Sequence, residues 1–194
     1  QIKYVRTEER HKPTVGLNMA IKNSSGKYLT FAFLDDRKSL ECIETLLAEL
    51  STSPDADLVY GECFTTKIKN DTFEDSLSTE TFEHSTFKFS KENMIKCLPG
   101  PMPMWRREIH EQHGLLDQDN CDYADDWEMW LRAVSGGARF KKVNKAVGLY
   151  FEGGRSQQLA NLAQRKEEAK LFYKYAHLFG SNFYSYKPYF DQFV

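Results

Sequence analysis

Several features that mark common functional classes are missing from this chain of 194 residues. Its 26 lysines and arginines nearly balance its 28 aspartates and glutamates, so it lacks the basic excess of a nucleic-acid-binding domain. No apolar run approaches the roughly 20 residues of a membrane-spanning helix, and no signal peptide opens the chain. A Gly-rich phosphate loop is also missing, which argues against nucleotidyl transfer on an α/β fold. These absences leave a globular domain that is long enough to bury a real core.

Cysteines are few and far apart, at positions 42, 63, 97 and 121. None belongs to a Cys-x-x-Cys pair, which argues against a zinc site or a redox motif. Isolated thiols of this kind are usually buried and reduced. We therefore expect free cysteines and a reducing compartment, the cytoplasm.

Two adjacent carboxylates, Asp125 and Asp126, open a segment whose apolar residues fall at positions 127, 130, 131 and 134. This spacing predicts an α-helix, which Gly136 and Gly137 would end. A helix N-terminus favours negative charge, and a positioned carboxylate can accept a proton from a substrate hydroxyl. The structural alternative is that Asp125 and Glu128 form a capping box.

A second pair of carboxylates, Asp35 and Asp36, follows a continuous apolar run from Tyr28 to Leu34. Such a run predicts a strand that is buried on both faces, in the centre of a mainly parallel sheet. Ser39 then begins a predicted helix whose inner side carries leucines and an isoleucine at positions 40, 43, 46, 47 and 50. Ligands of open α/β sheets bind beyond the carboxyl ends of the strands. A plain turn is the alternative for the two acids.

The other elements follow from the same patterns. Strands are expected at residues 1–5 and 57–65, and a hairpin at 138–143 and 146–151 around Asn144-Lys145. Helices are expected at 15–23, 106–113 and, beginning at a Ser156 cap, 157–179, with an aromatic tail at 182–194 lying across the domain. Three prolines stiffen the loop from Leu98 to Trp105, which would form the floor of a pocket or serve as a connector.

From about Gln1 to Ser156, the chain resembles the family 2 glycosyltransferases, which have the GT-A fold. Four segments carry the resemblance. Asn18–Tyr28 resembles the helix and turn before the family's metal-binding strand, and Phe33–Asp36 resembles its DXD region. Leu115–Asp117 resembles the Gly-Phe-Asp-Glu segment, and Asp125-Asp126 resembles the Glu-Asp motif. The loop from Gly100 to Arg106, between the second and third of these segments, is a further landmark of the resemblance. Each segment is a weak signal alone, but their order and spacing are fairly specific.

The resemblance implies a GT-A-like (Rossmann-like) α/β fold with a mixed, mainly parallel sheet flanked by helices. Residues 1–156 would be the catalytic domain, and residues 157–194 a long C-terminal helix and tail packed on it. Family members open with strands that hold the nucleotide base, and these are not found here, so we expect an N-terminally truncated domain or the remainder of a longer chain. The long helix would pack on this domain or pair with a second copy.

The resemblance also implies an inverting, metal-dependent transfer of sugar from a nucleotide-sugar to a hydroxyl of a glycan or lipid-linked acceptor. Asp126 would be the general base, and Asp125 would cap the helix or touch the acceptor. Asp35 would bind Mn²⁺ or Mg²⁺, and Asp36 would orient the donor site. A lipid-linked acceptor would place the protein at the membrane surface.

Further assignments are made at the acceptor and at the last strand. Trp105, Met104 and Trp127 are assigned to substrate binding, with the two indoles as stacking surfaces for sugar rings; core packing is the alternative for Trp127. Where many family members have a metal-binding histidine, this chain has Glu152, an oxygen ligand, and Arg155, a partner for the diphosphate.

One departure from the family pattern supports a different function. Phe33 stands where the resemblance expects the first acid of the DXD motif. The alternative is therefore a non-catalytic domain of the same fold that binds a glycan or a protein partner.

Overall fold

The computed structural model describes residues 2–153 and 162–194. In chain order, its strands are β1 (Tyr28–Thr30), β2 (Arg37–Lys38), β3 (Leu58–Thr66), β4 (Met104–Arg106) and β5 (Phe140–Phe151). The α-helices are α1 (Pro13–Asn23), α2 (Cys42–Thr52), α3 (Glu83–Thr86), α4 (Glu108–His113), α5 (Asp125–Ser135), α6 (Leu162–Lys174) and α7 (Asn182–Phe190). Short 3-10 helices cover Glu92–Ile95, Ala176–Leu178 and Asp191–Phe193. The expected strand β3 and helices α1, α4 and α5 are thus confirmed.

The five strands form one mixed sheet in the order β1-β4-β3-β5-β2, with helices around it, so the α/β fold class is confirmed. The pair β3–β5 is parallel, whereas β1–β4, β3–β4 and β2–β5 are antiparallel. The sheet of the described residues is therefore mixed but not mainly parallel. Strand β4 lies between β1 and β3 and is antiparallel to both, so β1 and β3 do not pair with each other.

The predicted hairpin is wrong, because residues 140–151 form a single strand that pairs with β3 along its length. Tyr60 pairs with Lys142 and Cys63 with Gly148, so β5 advances six residues while β3 advances three. Three extra residues of β5 therefore lie in a bulge, on the two sides of the pair Glu62–Ala146. The suspected turn residues lie in this bulge. Gly61 allows it, since a Cβ there would lie 2.8 Å from the carbonyl oxygen of Lys145.

The apolar run after Tyr28 was predicted to be a central strand, and this is wrong. Strand β1 ends at Thr30, is half-buried, and lies at the edge of the described sheet, paired with β4. Beyond it, Leu34 is 96% exposed. A continuous apolar run indicates burial on both faces, but here no described strand covers the outer edge. Residues 2–5 likewise form no strand.

Helix α2 begins later than predicted. Its N-cap is Glu41 rather than Ser39, and the Glu41 side chain makes no capping hydrogen bond. Leu46 and Leu50 are fully buried, whereas Leu40 is 88% exposed. The apolar residues cover a wide arc of the helix, and the sheet contacts one side of that arc.

The C-terminal helices pack against α5 through aromatic rings. Phe172 of α6 stacks on Phe183 and Phe190, with ring centroids 4.8 and 4.3 Å apart. Phe190 in turn stacks on Trp127 of α5 at 6.5 Å. The described part of the predicted long helix ends at Lys174, and the predicted cap and first turn, residues 156–161, lie outside the described residues. These contacts fix α5 against the rest of the core.

Candidate functional site

Asp125 and Asp126 begin helix α5, as the sequence predicted. The backbone N–H of Trp127 donates to Oδ1 of Asp126 at 2.7 Å, and the Thr14 hydroxyl donates to Asp125. The capping box, which was the alternative for Asp125 and Glu128, does not form, because the Glu128 carboxylate is buried and binds Arg132 instead. Both carboxylates are therefore held at a helix start that no side chain of its N-cap residue caps.

Asp126 is a half-buried carboxylate whose surroundings disfavour its charged form. Burial, together with the charge of Asp125, raises its pKa to about 6. Three donors oppose this shift: the backbone N–H groups of Trp127 and of Asp126 itself, and the thiol of Cys97, whose Sγ lies 3.7 Å from Oδ2. A carboxyl group that titrates near neutral pH is suited to take a proton from a hydroxyl.

Asp35 and Asp36 lie in the turn between β1 and β2, in different environments. Asp36 is half-buried, its Oδ1 accepts the backbone N–H of Phe151 at 3.1 Å, and burial raises its pKa to about 6. Asp35 is exposed and lines a cleft. The bond to Phe151 joins the end of β5 to this turn, and Glu152 is the next residue along the chain.

Two clefts share Arg37 as a wall residue. The first has a volume of about 170 Å³ and is lined by Phe31, Ala32, Phe33, Asp36, Arg37, Lys38, Pro101 and Met102. The second, of about 310 Å³, is lined by Leu34, Asp35, Arg37, Lys69, Asn70 and Phe151. One wall of each cleft therefore carries both a carboxylate and a cation.

Arg37 and Lys38 are fixed within these clefts. One guanidinium nitrogen of Arg37 donates to the carbonyl oxygens of Leu34 and Asp36, at 2.8 and 2.9 Å. The ammonium group of Lys38 donates to the hydroxyl of Thr30 at 3.2 Å, and burial lowers its pKa. Fixed cations of this kind suit an anionic ligand such as a diphosphate.

One stretch of chain contacts Asp126 and lines the cleft of Asp36. Cys97, at its start, contacts Asp126, and further along Pro101 and Met102 line the cleft of Asp36. The thiol and the cleft wall lie four residues apart on the chain. The loop from Leu98 to Trp105 therefore contributes to a cleft wall through Pro101 and Met102.

The three residues assigned to substrate binding are core residues. Trp105 is 1% exposed, Met104 4% and Trp127 6%. The indole N–H of Trp105 donates to Nε2 of His110 at 2.9 Å, and that of Trp127 to the carbonyl oxygen of Met94 at 2.8 Å. Since both indoles are buried and hydrogen bonded inside the domain, neither offers a ring face to a sugar.

The predicted metal ligands do not form a closed site. Glu152 forms an ion pair with Lys67 at 3.8 Å. Within residues 2–153 and 162–194, no group of three or more His, Cys, Asp or Glu side chains is placed to hold a metal ion. Arg155 lies outside the described residues. Among the helices of the described chain, none has the length and apolarity to cross a membrane.

Cys97, Arg37 and Lys38 were not singled out in the sequence. A lone cysteine carries no pattern, and Cys97 meets Asp126 across 29 positions of the chain. Arg37 and Lys38 directly follow Asp36 in the sequence. Two basic residues after an acidic pair could therefore have indicated an anion-binding site.

Comparison with known proteins places the chain in a family. The sequence model of glycosyl transferase family 2 matches residues 1–114, more than half of the 194 residues. No curated protein matches the sequence.

Solved structures share the fold at low identity. The mannosyltransferase PcManGT from Pyrobaculum calidifontis, in complex with GDP-Man and Mn²⁺, is 17% identical with a TM-score of 0.61, over 89% of this chain and 46% of that one. S. aureus TarS 1-349 in complex with UDP-GlcNAc is 14% identical with a TM-score of 0.61, over 90% of this chain and 54% of that one. The chain thus spans about half the length of these proteins. The likeness shows a shared GT-A glycosyltransferase fold, and the family match shows that the chain belongs to glycosyl transferase family 2.

Proposed function

We propose that this chain transfers a sugar from a nucleotide-sugar donor to a hydroxyl of a glycan or lipid-linked acceptor, with inversion at the anomeric carbon. One observation carries the proposal: a half-buried carboxylate, Asp126, begins a rigid helix and has a pKa raised to about 6. Membership in glycosyl transferase family 2 and the GT-A fold support it. The family match ends at residue 114, so the role of Asp126 rests on its surroundings.

Asp126 acts as the general base in a single displacement. The acceptor oxygen attacks the anomeric carbon, and its proton passes to the carboxylate of Asp126. The bond from the anomeric carbon to the donor phosphate oxygen breaks on the opposite side, and the nucleoside diphosphate leaves with that electron pair. Attack opposite to the leaving group inverts the centre. Asp125, which accepts the Thr14 hydroxyl, keeps the helix start in place.

The donor diphosphate binds at the clefts around Arg37. The Arg37 guanidinium is fixed by hydrogen bonds to two carbonyl oxygens and lines both clefts. Lys38 adds a positive charge to the first cleft, and Lys69 adds one to the second. Asp36 is fixed by the N–H of Phe151 and shapes the wall that it shares with Arg37.

A divalent cation, Mn²⁺ or Mg²⁺, fits the donor site through Asp35. This carboxylate is exposed at the second cleft, and such cations commonly use one or two carboxylates together with substrate phosphate oxygens. Glu152 is close to this turn and would serve as a further oxygen ligand only if Lys67 released it. When bound, the ion neutralises charge on the departing diphosphate.

Binding and turnover measured separately test these roles. We expect calorimetry to detect Mn²⁺-dependent binding of UDP or GDP to this chain, and Asp35→Ala to weaken that binding at least tenfold. Asp126→Asn should keep the binding and lower sugar transfer by about 10²- to 10⁴-fold. Asp125→Asn is the matched control at the same helix start and should lose less than tenfold. If neither Asp35→Ala nor Asp126→Asn changes binding or turnover, a non-catalytic glycan- or partner-binding domain replaces the proposal.

A further inference from the structure

The turn that leads into helix α5 is held by a carboxylate from a distant helix. The side chain of Glu167, on α6, accepts the backbone N–H groups of Asp122, Tyr123 and Ala124 at 2.9, 3.0 and 2.7 Å. Three consecutive N–H groups on one carboxylate form an anion-binding nest. The last of these residues, Ala124, is the N-cap of α5 and lies two positions before Asp126.

We propose that Glu167 is a positioning residue that holds the general base Asp126 in its reactive place, an inference that rests on the proposed function. The carboxylates of Asp125 and Asp126 accept the N–H groups of Asp126 and Trp127 within α5, but the N–H groups of the turn before the helix have no partner in it. The Glu167 carboxylate satisfies the preceding N–H groups through charge-assisted bonds, which are stronger than neutral ones. The three peptide planes entering Asp122, Tyr123 and Ala124 are thereby fixed, and Asp126 follows two residues later.

The other side of the base is fixed by packing. Trp127, the next residue, is buried, bonded to Met94, and stacked on Phe190. Asp126 therefore sits between an electrostatic clamp before it and an aromatic anchor after it. The clamp comes from α6 and the ring contact from the end of α7, so residues far along the chain from the acidic motif set its geometry. A displacement of about 1 Å at a catalytic group costs up to about 10²-fold in rate.

The substitution Glu167→Gln tests this clamp without changing the side-chain volume. A glutamine has one acceptor oxygen, and its NH₂ group would oppose one of the backbone N–H groups. We expect kcat for sugar transfer to fall at least tenfold, with the KM for the donor unchanged within twofold. Glu168→Gln is the matched control, since it removes the same charge from the neighbouring position, where the carboxylate accepts from Gln164 of its own helix. The control should transfer sugar at the wild-type rate.

A loss of folding would not produce this pattern, because rates corrected for the folded fraction would then be unchanged. An unchanged corrected kcat in Glu167→Gln overturns the proposal, and so does a rise in KM with kcat retained. Proton–nitrogen NMR gives an independent readout. The amide protons of residues 122–124 should be shifted downfield in the wild type and should lose that shift in Glu167→Gln but not in Glu168→Gln.

One more arm separates this inference from the proposed function. If the wild-type chain transfers no sugar, the proposed function fails, and the position of Asp126 is then judged by the ¹³C resonance of its carboxyl carbon. We expect that resonance and its titration midpoint to change in Glu167→Gln and to stay constant in Glu168→Gln. An Asp126 resonance that is identical in both variants shows that Glu167 does not position this carboxylate.

Discussion

The thiol of Cys97 donates to the carboxylate of Asp126 across 3.7 Å. A donor stabilises the charged form of a carboxylate, so the substitution Cys97→Ala should raise the pKa of Asp126 beyond its value of about 6. The base works when ionised, and we expect the acidic limb of the kcat/KM profile to move up by about 0.5 pH unit. Cys97→Ser keeps a donor and should leave the limb where it is. A profile that is the same in all three proteins would show that the thiol does not tune the base.

The ionised carboxylate of Asp126, which the reaction needs, should lower the stability of the folded protein. Its pKa is 3.8 in the unfolded reference and about 6 in the folded chain, so the folded state binds the proton more tightly. Stability is therefore lost as the pH rises through this window. The substitution Asp126→Asn removes the penalty and should raise the free energy of unfolding by about 1–3 kcal/mol at pH 7. Urea denaturation at pH 7 and at pH 3.5 checks this, because the gain should be absent at the lower pH.

Glu128 should act in the opposite direction. Burial alone would raise its pKa, but hydrogen bonds from Arg132 and Tyr175 hold it below its usual value. Its stabilising effect is present above the unfolded pKa and is lost as the pH falls through the folded one. Glu128→Ala removes the anionic partner of Arg132, which keeps only the carbonyl oxygens of His113 and Leu115 as acceptors. It should cost about 3–5 kcal/mol at neutral pH, with a smaller cost below about pH 4.

The exposed residue Glu111 on α4 is the control for this change. Glu111→Ala should alter the free energy of unfolding by less than about 0.5 kcal/mol. Equal costs for the two substitutions would mean that the buried ion pairs of Glu128 contribute nothing to stability.

Two glycines should respond oppositely to a methyl group. Gly16 lies inside α1 with no atom within 4 Å of an added Cβ, so Gly16→Ala should stabilise the protein by about 0.5–1 kcal/mol. At Gly148 an added Cβ would overlap Met102 and lie 2.8 Å from the carbonyl oxygen of Arg37. Gly148→Ala should cost about 1–3 kcal/mol and should weaken ligand binding at the adjacent cleft. Thermal unfolding of both variants measures the two signs, and a stabilised Gly148→Ala would contradict this packing.

The local sequence pattern was sufficient to predict helix α5, which carries the proposed base. The apolar spacing of α5 and its glycine end are properties of one segment, so the helix and its two acids were predicted at the right place. The contacts of Cys97 and Glu167 with that segment were not predictable. They join residues 29 and 43 positions apart, and no periodicity records which distant side chain meets a helix start.

Errors occurred where a local pattern has two tertiary outcomes. The apolar run after Tyr28 is compatible with a central strand, which has a neighbouring strand on each side, or with an edge strand. In the described sheet it is an edge strand, because no described strand pairs with its outer side. Asn144 and Lys145 suit a turn, but β3 pairs on both sides of them, and a parallel ladder can absorb extra residues as a bulge. The sequence alone does not distinguish a tryptophan that stacks on a sugar from one that packs in the core. The structure shows that the indole rings of Trp105 and Trp127 are buried in the core.

The bulged stretch of β5 marks where this sheet tolerates changes of chain length. Because β3 pairs with β5 on both sides of it, residues deleted from or added to positions 143–145 would change the size of the bulge and leave the pairing beyond it in place. Leu149 would stay buried, and the N–H of Phe151 would still reach the carboxylate of Asp36. A one-residue deletion within positions 149–151 would instead turn the side chains that follow it to the opposite face. Natural insertions and deletions should therefore collect in the bulge rather than in the strand beyond it.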